Sequence, residues 1–222
     1  LSYAQAFVGL FGAFATLGMD GIVIKHLVKD DENRDLLLGT AFTLKLLGAM
    51  VAVFIISIVT VTTSNDNKEV IIITIIASAL VFQSLNVIDF YFQSIVLSRY
   101  IVIVNLISQL VVSLIRIALI LAEAPLITFA YVILFDAVIL AVGYIYVYKH
   151  KNLSFRQWNF NKQTASELLK YSWPLAISGI VISIYMKIDQ VMIKEMLGKS
   201  SVGHYAAAVK ISEAWYFVPI VI

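Results

Sequence analysis

Seven long apolar runs follow one another along the chain, and they restrict its fold more than any other feature. The runs are residues 1–19, 36–61, 70–97, 100–122, 124–148, 172–193 and 201–222. A helix needs about 20 mostly apolar residues to cross the hydrocarbon core of a membrane. Buried β-strands usually have only about four to eight residues, with turn signals between them. The sequence therefore predicts an all-α polytopic membrane protein with seven transmembrane helices.

Composition agrees with a membrane protein and excludes several other classes. Hydrophobic residues make up 61% of the chain and charged residues 14%, whereas globular proteins are roughly half apolar and about a quarter charged. The chain has no cysteine, so disulfides and thiolate metal sites are excluded. The net charge of +2 gives no indication of a nucleic-acid partner. Both ends of the chain are apolar, and we expect an internal fragment of a longer membrane protein.

No constellation of residues in the sequence points to catalysis. The histidines at positions 26, 150 and 204 lie far apart and have no cysteine partners. A nucleophile, a base and an orienting residue cannot be grouped from the sequence. We therefore predict a protein that is not an enzyme and that has neither a metal site nor a cofactor.

Connecting segments that are rich in lysine and arginine alternate along the chain with connecting segments that are poor in them. The segments at residues 20–35, at Arg99 and at 149–171 hold nine lysines and arginines, and the alternate segments hold three. Basic loops of membrane proteins face the cytoplasm. The pattern predicts a multi-pass protein of the cell (cytoplasmic or inner) membrane, whose first run enters the cytoplasm near residue 20.

The longest polar stretch, residues 149–171, divides the chain. Within it, the sequence TASELLKYSW could form a short amphipathic helix on the membrane surface, with Trp158 and Trp173 at interfacial depth. A plain solvated connector is the alternative, and the sequence leaves both open. In either case we predict a boundary between two helical lobes here.

Five charged residues are expected deep within the predicted membrane helices. A charge at the centre of a bilayer costs a few kcal/mol even on lenient scales, so such residues face a bundle interior or a water-filled cavity. By position, Asp136, Lys210 and Glu213 fall near mid-membrane, and Arg116 and Lys187 fall in the outer half. Three of the five are cationic, which would suit an anionic or strongly polar group.

Purely structural roles are the alternative for these charges. Lys210 and Glu213 are three residues apart on one helix face and could pair with each other. Lys45 and Asp89 lie near the cytoplasmic ends of their runs, where a lysine side chain can reach the interface. Asp189 lies close to the outer end, and we expect it to contact a loop or a neighbouring helix.

Several stretches of the sequence resemble one family of membrane proteins. They are FATLGMDGIVIKHLVKD at 14–30, VIDFYFQS at 87–94, LLKYSWPLAISGI at 168–180, KIDQVMIKEMLG at 187–198 and VGHYAAAVKISEAWYFVP at 202–219. Together they resemble the polysaccharide biosynthesis proteins that act as flippases for O-antigen and other lipid-linked oligosaccharides. That family belongs to the multidrug/oligosaccharidyl-lipid/polysaccharide exporter superfamily.

The resemblance implies a multidrug-exporter-like bundle of two lobes around a central cavity. Residues 1–148 would be five helices of the N-terminal lobe without its first helix, 149–171 a cytoplasmic linker, and 172–222 the first two helices of a truncated C-terminal lobe. Cationic residues in the family's cavity meet the pyrophosphate of the lipid carrier. Arg116, Lys187 and Lys210 match them by position and depth, not by a motif.

The leading hypothesis is therefore a flippase for an undecaprenyl-pyrophosphate-linked oligosaccharide, such as a unit of O-antigen, capsule or another surface polysaccharide, working by alternating access. The resemblance also implies membrane lipid, a polysaccharide polymerase and assembly proteins as partners. One alternative is a cation-coupled multidrug antiporter of the same superfamily, which would depend on Asp136 or Glu213. Another is a scaffold for glycan assembly that does not transport, in which the buried charges are structural pairs.

Overall fold

Helices account for nearly all of the computed structural model, which describes residues 1–29, 32–63, 66–213 and 215. Within these residues the elements are helices and turns, without a β-strand. The helices are α1 (Ser2–Thr16), α2 (Asp20–Lys29), α3 (Arg34–Thr63), α4 (Asn67–Gln83), α5 (Val87–Ser94), α6 (Arg99–Leu121), α7 (Leu126–His150), α8 (Lys162–Leu197) and α9 (Lys199–Glu213).

Six helical stretches in the described part of the chain are long and apolar enough to cross a membrane. They are Ser2–Lys29, Arg34–Thr63, Asn67–Ser94, Arg99–Leu121, Leu126–His150 and Lys162–Leu197. These stretches confirm the prediction of an all-α polytopic membrane protein. The predicted seventh run begins in α9, and its residues 214 and 216–222 lie outside the described part.

The segment at residues 20–35, expected to be a loop, contains helix α2. Val23 and Leu27, four residues apart, are both buried and form one apolar face. Asp20 in the first turn and Lys29 in the last turn complement the helix dipole. The backbone turns sharply between α1 and α2, because Leu17 and Gly18 both have positive φ angles. We call this turn the α1–α2 elbow.

The third apolar run is interrupted rather than continuous. A short 3-10 turn at Ser84–Asn86 separates α4 from α5. The Ser84 hydroxyl donates a hydrogen bond of 2.7 Å to the carbonyl oxygen of Val81. Serine side chains that bond to the preceding turn compete with regular helix geometry, so Ser84 marks the place where the apolar run is interrupted.

The basic connecting segments and the other connecting segments lie at opposite ends of the bundle. We call the end with Lys29, Arg34 and residues 94–99 and 150–162 the inner end, and the end with Leu1, Thr63, Asn67 and residues 121–126 and 197–199 the outer end. One buried cluster, which includes Val23, Leu38, Phe92 and Tyr148, fills the inner half. A second, contributed by α1, α3, α4 and α7, fills the outer half.

The segment between α7 and α8 packs onto the inner end instead of extending into solvent. The indole of Trp158 donates a hydrogen bond of 2.9 Å to the Tyr148 hydroxyl and stacks edge-on against Phe155. The backbone N–H of Asn161 donates to the Thr40 hydroxyl at 3.2 Å. Trp158 therefore belongs to an aromatic cluster with residues of α7 and α3.

Helix α8 begins directly after this packed segment and continues for 36 residues. The Asn161 side chain caps its first turn by accepting hydrogen bonds from the N–H groups of Gln163 and Thr164. The amphipathic stretch at residues 164–173 is thus part of α8 and not a separate helix on the membrane surface. Trp173 is largely exposed on it.

Candidate functional site

Three of the five predicted charges meet at one cavity of about 240 Å³ between α1, α8 and α9. Lys187 comes from α8, and Lys210 and Glu213 come from α9. The residues that line the cavity are Ser2, Gln5, Ala6, Lys187, Gln190, Ala206, Val209, Lys210 and Glu213. We call it the lysine cavity.

Helix spacing explains why these side chains share one cavity. Lys187 and Gln190 are three residues apart on α8, and Lys210 and Glu213 are three apart on α9, so each pair shares a helix face. Gly198, with a φ of 87°, ends α8 and lets the chain reverse into α9. Ser2 and Gln5 of α1 lie opposite and complete the cavity wall.

The charges in the lysine cavity do not neutralise each other in ion pairs. Within the described residues, no ion pair includes Lys187, Lys210 or Glu213. Lys210 and Glu213 thus line the same cavity without forming the pair that their spacing allows. Two ammonium groups and one carboxylate leave an excess of positive charge, which favours an anionic ligand.

Two glutamines complete the polar lining, and sequence reasoning missed them. Gln190 is only 7% exposed, and Gln5 is partly buried. Neither side-chain amide has a hydrogen-bond partner among the described residues, although every fully buried side-chain polar atom there has one. The amides therefore reach into the cavity. Glutamine carries no charge, so it was not among the residues selected from the apolar runs. Gln190 lies one helical turn from Lys187, and that spacing could have identified it.

Arg116 and Asp136 lie elsewhere. Both belong to the α6–α7 pair, and neither lines the lysine cavity. The Ser108 hydroxyl of α6, which is fully buried, donates a hydrogen bond of 2.6 Å to a carboxylate oxygen of Asp136 on α7. The Tyr144 hydroxyl donates to the Asn105 side-chain oxygen at 3.0 Å across the same two helices. Asp136, through Ser108, thus joins α6 to α7, and the Tyr144–Asn105 bond joins the same two helices.

Asp189 does not line the lysine cavity and contacts α9 instead. Its carboxylate accepts a short hydrogen bond from the Tyr205 hydroxyl. This contact agrees with the expectation that Asp189 meets a neighbouring helix near the outer end. It also fixes α9 against α8 and so holds the two lysines of the cavity in register.

Lys194 joins α8 to two other helices at the outer end. Its ammonium group lies 3.5 Å from a carboxylate oxygen of Glu69 on α4, 2.7 Å from one of Glu195, and 4.6 Å from the centre of the Tyr3 ring on α1. Its side chain is 17% exposed. The apolar run predicted at 172–193 ends just before Lys194, whereas α8 continues to Leu197 and includes it.

Lys45 is buried in the inner half and pairs with a carboxylate there. Its side chain is 4% exposed, and its ammonium group lies 2.9 Å from a carboxylate oxygen of Asp20. The same group lies 4.4 Å from the centre of the Phe90 ring. The ion pair with Asp20 offsets the burial of the charge, and it ties α3 to the start of α2.

The geometry of the lysine cavity supports binding rather than covalent chemistry. It offers two cations, one carboxylate and two amides that donate and accept hydrogen bonds. In the part of the chain that the structure describes, no group of three or more histidine, cysteine, aspartate or glutamate residues could hold a metal ion. A phosphate with a neighbouring polar group matches this set of side chains, because lysine binds phosphate as a point charge.

Comparison with known proteins agrees with the membrane fold. A family described as polysaccharide biosynthesis protein matches residues 1–219, nearly the whole chain. Comparisons with curated proteins and with solved structures gave no match. The chain belongs to the polysaccharide biosynthesis protein family, whose members are membrane proteins.

Proposed function

We propose that this chain is part of a transporter that moves an undecaprenyl-pyrophosphate-linked oligosaccharide across the cytoplasmic membrane by alternating access. In this proposal Lys187 and Lys210 bind the pyrophosphate. The oligosaccharide crosses along the polar cavity while the lipid chain stays in the bilayer. The single observation that carries the proposal is the lysine cavity, where two cations lack protein partners among the described residues.

The size of the cavity fits a part of such a substrate. Sites for drug-sized ligands usually measure about 300–1,000 Å³, and the lysine cavity measures about 240 Å³. It therefore suits the charged linkage between lipid and sugar and not a whole oligosaccharide. The Glu213 carboxylate reduces the excess positive charge of the cavity. Weaker attraction for the pyrophosphate favours release of the substrate after it has crossed.

The test is to replace Lys187 and Lys210 with glutamine in the gene in its host and to measure lipid-linked oligosaccharide in each leaflet. A hydrogen bond to a charged group contributes about 1.5–3 kcal/mol, so each substitution is expected to weaken binding roughly tenfold to a hundredfold. We expect the substrate to accumulate in the cytoplasmic leaflet while surface glycan falls.

Two matched variants control for loss of charge alone. Lys170→Gln removes an exposed lysine from the inner part of α8, and Arg116→Gln removes a cation of α6 that does not line the lysine cavity. Both should leave export unchanged, with all variants present in the membrane at similar levels. Normal export by the double lysine variant, or loss of export by Arg116→Gln alone, would refute the assignment.

A substitution of Asp136 separates this proposal from a cation-coupled antiporter. Asparagine keeps an oxygen that can accept the Ser108 hydrogen bond, so Asp136→Asn should retain export and lower the free energy of unfolding by about 1 kcal/mol or less. Asp136→Leu removes the acceptor and should lower it by about 1–3 kcal/mol. Transport assays and thermal unfolding of both variants provide the measurement. Loss of transport in Asp136→Asn, with an unchanged Tm, would favour the antiporter.

A further inference from the structure

Gln190 is the most unusual side chain of the lysine cavity. It is 7% exposed, whereas the other described residues of α8 beyond Ser172 are partly or fully exposed. Its amide atoms have no hydrogen-bond partner among the described residues, yet they are not enclosed by protein, so they are accessible from the cavity. An amide in this position can both donate and accept hydrogen bonds with a molecule that enters the cavity.

The surroundings of Gln190 indicate what its amide meets. Its own backbone N–H is occupied, because it donates to a side-chain oxygen of Asp189 at 2.7 Å. Its side chain, in contrast, opens into the cavity beside Lys187, one helical turn away, and Gln5 of α1 lines the same cavity. The cavity thus has a cationic part and a neutral part that can both donate and accept hydrogen bonds.

We propose that Gln190, with Gln5, recognises the first sugar attached to the pyrophosphate and so selects which lipid-linked glycan enters the cavity. This inference rests on the proposed function. Sugar hydroxyl groups donate and accept hydrogen bonds, as carboxamides do, so an amide matches a sugar where a lysine matches a phosphate. Gln190 is a specificity-determining residue in this view, and the lysines supply affinity that is independent of the sugar.

A site that forms hydrogen bonds with a substrate hydroxyl discriminates strongly against an analogue that lacks it. The two parts of the cavity should therefore respond differently to two ligands. One ligand is a short-chain polyprenyl diphosphate, and the other is the same lipid carrying one hexose on its terminal phosphate. Gln190→Leu removes the amide at nearly constant volume and should affect only the second ligand.

The experiment measures the Kd of both ligands for the purified full-length protein. We expect Gln190→Leu to weaken binding of the hexose-bearing lipid about tenfold and to leave binding of the bare diphosphate within about twofold. Lys187→Gln should weaken both ligands. The matched control is Gln163→Leu, since Gln163 is an exposed glutamine at the inner end of the same helix.

Stability gives a second readout. Because the Gln190 amide has no partner among the described residues, Gln190→Leu should leave the Tm of the ligand-free protein unchanged or raise it. Equal effects on both ligands, or a fall in Tm with no change in either Kd, would overturn the role of Gln190 and leave the proposed function intact. Absence of binding of either ligand to the unaltered protein would overturn both proposals.

Discussion

Replacing Gly18 with alanine is expected to destabilise the protein by about 3 kcal/mol or more. Gly18 has a φ of 62°, and a Cβ built on it would lie 2.8 Å from the Cα of Ala176 and 2.8 Å from the carbonyl carbon of Leu175. A left-handed backbone costs an L-residue about 1–2 kcal/mol. Overpacking typically adds about 1–3 kcal/mol, and here the clash is with the backbone of α8, which cannot rotate away.

Thermal unfolding of the purified protein in detergent measures this effect, and Gly9→Ala is the matched control. Gly9 lies on α1, and a Cβ on it would meet nothing within 4 Å. Alanine there should leave the Tm unchanged or raise it slightly, because alanine favours helix interiors over glycine. Similar Tm values for the Gly18→Ala and Gly9→Ala proteins would show that the elbow does not contact α8 as described.

The ion pair between Asp20 and Lys45 should respond unequally to the loss of each partner. Asp20→Ala leaves a lysine that is 4% exposed without its carboxylate. Removing one partner of a buried pair costs about 3–5 kcal/mol. We expect about 3 kcal/mol, because Asp20 itself is 52% exposed and Asp89 lies close enough to interact with Lys45.

Lys45→Met should have a much smaller effect, of about 1 kcal/mol or less. The carboxylate that it leaves is half-exposed and lies in the first turn of α2, where the helix dipole favours negative charge. The double variant with both substitutions should be more stable than Asp20→Ala alone, because the buried charge is then absent. Equal Tm losses in the two single variants would contradict the unequal burial of the pair.

The sequence predicted the long helices well, because the length of an apolar run largely decides whether it forms a membrane-spanning helix. The expected runs at 100–122 and 124–148 agree closely with α6 and α7. Helix α2 was missed, because its charged residues suggested a loop, although Val23 and Leu27 already have helical spacing. The 3-10 turn at Ser84–Asn86 was also missed, since a short polar interruption changes the mean hydropathy of a run very little.

Depth along the helices placed Lys210 and Glu213 near mid-membrane and Lys187 in the outer half, and the structure brings all three to one cavity. Depth alone could not separate them from Arg116 and Asp136, because it does not reveal which helices are neighbours. That information depends on long-range packing, such as the approach of α8 to α1 at Gly18. The ion pairs of Lys45 with Asp20 and of Lys194 with Glu69 depend on the same packing, since each joins residues at least 25 positions apart in the chain.

Helix α8 is held at both ends by helices that precede it in the chain, which has a mechanical consequence. Its inner end is fixed to α3 where Asn161 meets Thr40, and its outer end is fixed to α4 where Lys194 meets Glu69. A helix of 36 residues is about 54 Å long. A tilt of about 10° around the inner attachment would therefore move Lys194 by roughly 8 Å. This displacement is much larger than the 3.5 Å distance between the Lys194 ammonium group and the Glu69 carboxylate. A tilt of α8 about its inner attachment is thus magnified at its outer attachment.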